Sequence, residues 1–134
     1  MYARFITLLA AVYAIVGAHF AAAHHSFAAE FDANAPIDLT GTVTKVAWAN
    51  PHTFFYIDVA NANGEIENWA LEMGSPNGLM RRGWTRDSMK IGDVVTVTGS
   101  RAKDGSYKGN ARSVTLSTGR RLFAGSSQEN AESN

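Results

Sequence analysis

The residues whose types and spacing point most directly to chemistry are His24, His25 and His52. Ala21-Ala22-Ala23 stands just before His24 and supplies the A-x-A pattern of a signal-peptide cleavage site. Cleavage after Ala23 gives His24 a free α-amine beside its imidazole. Those two nitrogens chelate one metal ion in a small ring. A third nitrogen, from His25 or His52, completes a T-shaped or square-planar set. Nitrogen ligands in that geometry suit Cu(II) and, less well, Ni(II). An α-amine has an ordinary pKa of about 7.7–8.0 and must lose its proton to ligate, so binding releases protons and weakens in acid. Cleavage one residue earlier places a histidine third, which is also an amino-terminal Cu/Ni chelate. The plainer reading stands beside this one. A His-His pair at an exported N-terminus is also simply exposed, and His52, after Pro51, also serves as a hydrogen-bonded residue that fixes a turn.

Other side chains divide in the same way. Glu72, in Trp69-Ala70-Leu71-Glu72, offers a carboxylate ligand or general base, or else pairs with Arg81 or Arg82. Phe54, Tyr56, Trp69 and Glu72 outline a ligand face, yet Trp48 and Trp69 are large aromatics of the kind a small barrel buries. Arg81-Arg82, Arg86 and Arg120-Arg121 form either an anion patch or a solvated face. The chain has no P-loop, no G-x-G-x-x-G after a strand, no G-x-S-x-G and no H-E-x-x-H. Asp and Glu are scattered, so no catalytic pair stands out. A binding protein is expected rather than an enzyme. An oxidase or monooxygenase role lacks an evident substrate platform.

The elements that must position these residues follow from length and composition. The 134 residues suit one domain, 46% are apolar, and 12 Lys+Arg balance 12 Asp+Glu. With no Cys, a disulfide framework, a thiolate metal site and a cysteine nucleophile are excluded. Neutral charge argues against a dedicated nucleic-acid binder, whose affinity draws on an excess of Lys and Arg.

Residues 1–23 read as a Sec-type signal peptide, with Arg4 as the only charge and an apolar run from Phe5 to Val16 broken by Thr7. A second candidate site lies after Ala18. The run is shorter than the roughly 20 residues a membrane-spanning helix needs, so the mature chain is expected to be periplasmic, with no membrane span. Removing 1–23 leaves 111 residues, with 11 Lys+Arg against 12 Asp+Glu.

Residues 24–36 read as an N-terminal arm, 37–124 as the folded domain and 125–134 as a disordered tail. Strands are expected over Leu39–Trp48, Thr53–Val59, Glu65–Met73, Val94–Arg101 and Tyr107–Leu116, from Thr, Val and aromatic enrichment with period-two patterning. A phase shift between Val43 and Val46 predicts a bulge. Asn63-Gly64 and Asp104-Gly105 predict hairpins. Ser75 as N-cap and Pro76 at the first helical position predict a helix of about two turns, stopped at Gly83, with Leu79 and Met80 buried. Trp84 is expected to plug the barrel end, and Arg120–Ala124 to add an edge strand. The order β-β-β-α-β-β predicts an all-β fold with one short helix, a five-stranded OB-fold-like barrel. Such barrels often bind ligands near the loops that here hold His52 and Lys103-Asp104-Gly105, an argument from fold alone.

His24-His25-Ser26-Phe27, Phe31-Asp32, Gly41-Thr42-Val43, Trp48, Asn50-Pro51-His52, Trp69-Ala70-Leu71-Glu72 and Gly92-Asp93 together resemble a family of small exported bacterial proteins of unknown function. The resemblance spans residues 24 to 124. It implies export, a single OB-like domain and a mature start at His24, and it supplies no catalytic residues. Thr53-Phe54-Phe55 is more aromatic than the family pattern. Two functions follow as expectations. One is binding of copper or a similar divalent metal by His24, His25 and His52. The other is a non-catalytic module for an unidentified protein or small-molecule partner, with structural histidines.

Overall fold

The computed structural model describes residues 27–125. After a helical turn at 27–30, six strands and a short helix run in the order β1 (Phe31–Ala47), β2 (Phe54–Ala60), β3 (Ile66–Glu72), α1 (Pro76–Met80), β4 (Val94–Ala102), β5 (Lys108–Thr115) and β6 (Arg121–Phe123). The sheet order is β3-β2-β1-β4-β5-β6. A parallel pairing of β3 with β5, through Ala70, Leu71 and Glu72 against Lys108, Gly109 and Asn110, closes the sheet into a ring. Ring closure with a helix between β3 and β4 is the expected OB-like arrangement, and it removes two edges that would otherwise stand unpaired. The signal peptide, His24 and His25 lie outside the described residues.

Period-two alternation sorts the strands into an inner and an outer face. Phe55, Ile57 and Leu71 are fully buried on the inner face with Val43, Val95, Val97 and Val114. Each such burial contributes about 1.5–3 kcal/mol. The expected bulge is present, since the β1–β2 register shifts between Val43 and Lys45. Gly109 lets β5 approach closely, because a Cβ there would meet Ile37 Cδ1 at 2.5 Å and Leu71 Cδ2 at 3.2 Å. The Asn63-Gly64 and Asp104-Gly105 turns use glycines at φ 81° and 77°, a region open to Gly at no steric cost.

Two boundaries and one burial differ from the sequence expectation. β1 begins at Phe31, inside the segment read as an arm, because residues as far back as Phe31 pair with β4. α1 is only five residues long, capped by Ser75 Oγ accepting from the Gly78 amide at 3.2 Å. Met80 is 50% exposed rather than buried, while Leu79 is fully buried, since one turn of helix turns a single face to the core. Trp84 is buried as expected, and its indole N–H donates to the Phe123 carbonyl at 2.8 Å. That bond ties the connection after α1 to β6.

Candidate functional site

His52 and Glu72 come together through strand register. Phe54 opens β2 and pairs with Glu72, the last residue of β3. The Asn50-Pro51-His52 connection, which contains a cis Asn50–Pro51 bond, brings His52 back over that end of the sheet. His52 Nδ1 lies 2.5 Å from Glu72 Oε1. Glu72 is only 8% exposed, whereas the His52 side chain keeps 32% of its surface. Burial pushes the Glu72 carboxyl above the ordinary carboxylate value, and the imidazole of His52 pulls it partly back. The expected partners, Arg81 and Arg82, are elsewhere. Arg82 lies over the Phe123 ring at 4.5 Å and donates to the Gly125 carbonyl at 2.5 Å. The chain turns through α1 toward β6 after Met73, which carries both arginines away from the end of β3.

The chain ahead of β1 packs against the same patch. Residues 27–30 form one helical turn. The Phe27 and Phe31 ring centroids are 5.6 Å apart. The Glu30 carbonyl accepts from the Lys103 amide at 2.9 Å, and its carboxylate pairs with Lys108. The Lys108 ammonium also lies 5.8 Å from each of the Phe31 and Phe54 rings, a cation–π arrangement that holds the turn to the sheet. Glu30 is close enough to raise the Glu72 carboxyl further, and Lys108 lowers it.

Glu30, Lys108 and Asn110 carry no motif in the sequence. Lys108 and Asn110 stand two apart on β5, so they share a face, but only the β3–β5 pairing puts Asn110 beside Glu72. Asn110 is 3% exposed and its Oδ1 has no hydrogen-bond partner among the described residues.

Of the expected ligand face, Phe54, Tyr56 and Glu72 share one side of the sheet, since Phe54 pairs with Glu72 and Tyr56 stands two residues on, while Trp69 does not join them. Trp69 is 4% exposed and pairs with inward-facing Ile57, so it belongs to the core, as does partly buried Trp48. The Trp69 indole N–H donates to Glu67 Oε2 at 3.2 Å, and the Tyr107 ring lies 5.5 Å from it. Phe54 and Tyr56 lie on the other face, with Lys45 5.2 Å from the Tyr56 ring. Two of the arginines meet β6, where Arg121 donates to Ser113 Oγ and Arg82 stacks on Phe123.

Among the described residues there is no group of three or more side chains able to hold a metal ion. No helix among the described residues is long and apolar enough to cross a membrane. A family model described as a family of unknown function (DUF6152) matches residues 12–112 of the chain. No curated protein matches it.

Proposed function

We propose that this chain, which belongs to the family of unknown function DUF6152, is an exported periplasmic protein whose processed N-terminus binds Cu(II) or a similar divalent ion. His24 gives its α-amine and imidazole, His52 gives a third nitrogen from the barrel, and His25 is the alternative third donor. One observation carries this reading. Glu72 engages Nδ1 of His52 at 2.5 Å, which fixes the neutral ring as the Nδ1–H tautomer and leaves the Nε2 lone pair free. A carboxylate behind a ligating imidazole is the usual support of a metal-binding histidine, because it sets the tautomer and raises ligand basicity.

Chain reach supports it as well. Phe27 packs on Phe31, in the patch that Lys108 joins to Phe54. His24 is three residues ahead of Phe27, with two between them, a span of about 10 Å at full extension. The competing reading, a binding module that docks a partner on Phe54, Tyr56 and Trp69, has less behind it, because Trp69 faces the core.

Titration of the protein beginning at His24 with Cu(II) tests the proposal. The expected result is 1:1 binding that disappears in His24→Ala, disappears when the α-amine is acetylated, and weakens in His52→Ala. Unchanged binding in all three variants overturns it. So does an exported product, identified by mass, that starts beyond His25.

A further inference from the structure

A groove of about 610 Å³ crosses the outer face of β1, β4 and β5 and shares no residue with the His52 patch. Its volume falls within the range of small-molecule sites. Two strand irregularities meet there. Between Asp32 and Pro36, β1 advances four residues while its partner β4 advances one, from Arg101 to Ser100. Residues 33–35 therefore stand out of the ladder, and Ala33 lines one wall. The β4–β5 register shifts again between Thr98 and Gly99. Gly99 lines the groove where β4 and β5 run so close that a Cβ would fall 1.9 Å from the Asn110 carbonyl oxygen. Bulges that converge on one concavity are a common way for a sheet to shape a site.

The polar groups in the groove are mostly donors. Arg112 and Arg121 line it with Asp38, Thr98 and Ser100. Among the described residues neither guanidinium has an acidic partner within 4.0 Å. Arg121 donates through Nε and Nη2 to Ser113 Oγ, at 3.1 and 2.8 Å. Ser113 Oγ and Thr98 Oγ1 are 2.7 Å apart. A serine oxygen that accepts two N–H bonds has its own hydrogen left to give, so Ser113 donates to Thr98. The Thr98 hydroxyl hydrogen then has no acceptor among the described residues and is available to a ligand. Two arginines against Asp38 leave a surplus of one positive charge. That balance fits a single carboxylate group better than a doubly charged phosphate. A guanidinium fork matches a planar carboxylate, and Asp38 supplies an acceptor on the same wall.

We infer that this groove binds a small carboxylate bearing a neighbouring hydrogen-bond donor, as in an α-hydroxy or α-amino acid. Arg112 and Arg121 take the carboxylate with the Thr98 hydroxyl, and Asp38 accepts from the neighbouring group.

The test is an amide chemical-shift titration of the purified protein with lactate, glycine, acetate and inorganic phosphate. Lactate or glycine is expected to give saturable shifts at Ile37, Asp38 and Thr98–Ser100, about tenfold tighter than acetate. Arg112 has an exposed side chain that makes no hydrogen bond among the described residues, so Arg112→Gln should weaken binding about tenfold or more at an unchanged melting temperature. Asp38→Asn should erase the preference over acetate. Arg121→Lys, which keeps the charge but not the fork, should also weaken binding. The inference is overturned if neither lactate nor glycine shifts those amides, if phosphate binds more tightly than both, if acetate binds equally well, or if Arg112→Gln binds like the parent.

Discussion

His52 Nδ1 and Glu72 Oε1 are 2.5 Å apart, and the carboxylate is the more buried of the two. This contact joins a connecting segment to the last residue of a strand that takes part in closing the ring. It occupies one nitrogen of the imidazole, so an acidic residue on β3 supports the ring of His52.

Removing that support should weaken the metal site without abolishing it. Glu72→Ala is expected to lower Cu(II) affinity about 10–100-fold at the same stoichiometry. Calorimetric titration measures both quantities. A loss of the whole site, or no loss, would contradict the supporting role.

Glu72 also has a consequence for stability against pH. Its folded-state carboxyl titrates above the ordinary value, chiefly through burial. Between the unfolded and folded values the native state holds more protons than the unfolded one, so stability falls as pH rises through that window. Glu72→Gln cannot ionise. The melting temperature of Glu72→Gln relative to the parent should thus be more favourable at about pH 7 than at about pH 4. A difference that moves the other way would show the pair with His52 outweighing burial.

Copper binding should itself release protons, because the α-amine must be neutral to ligate. Titrations in buffers of different ionisation enthalpy report the number released, and affinity should drop steadily from about pH 8 to pH 5. Acetylation of the N-terminus should remove both the proton release and the tight binding.

The ring closure can be tested at Gly109 and Ile37. A methyl added at position 109 would meet Ile37 Cδ1 at 2.5 Å. Gly109→Ala should cost about 1–3 kcal/mol by overpacking. Ile37→Val removes the Cδ1 atom, so the double variant should be less destabilised than the two single changes added together. Denaturant melts of the four proteins measure the coupling, and simple additivity would place the strain elsewhere, at the Ser100 carbonyl.

Much of the fold follows from local pattern. Val-, Thr- and aromatic-rich segments with period-two alternation mark the strands, and Ser75-Pro76 marks the helix start. The phase slip after Val43 marks the bulge, because each of these signals acts within a few residues of chain. The boundaries that shifted did so through pairing. β1 reaches back to Phe31 because β4 offers partners as far as Ala102, and no residue between Phe31 and Pro36 announces that.

The amino-acid sequence by itself determined the all-β character, the order of the elements, the lack of thiol chemistry and the histidine set. Each of these is a property of residue type and spacing. Tertiary structure alone decided which groups meet. It gave Glu72 to His52 rather than to Arg81 or Arg82, turned Trp69 into the core and set Asn110 beside Glu72. It also brought two arginines to one groove. Register and ring closure join residues far apart in the chain, and a one-residue slip sends every side chain of a strand to the other face, so no local pattern fixes these encounters.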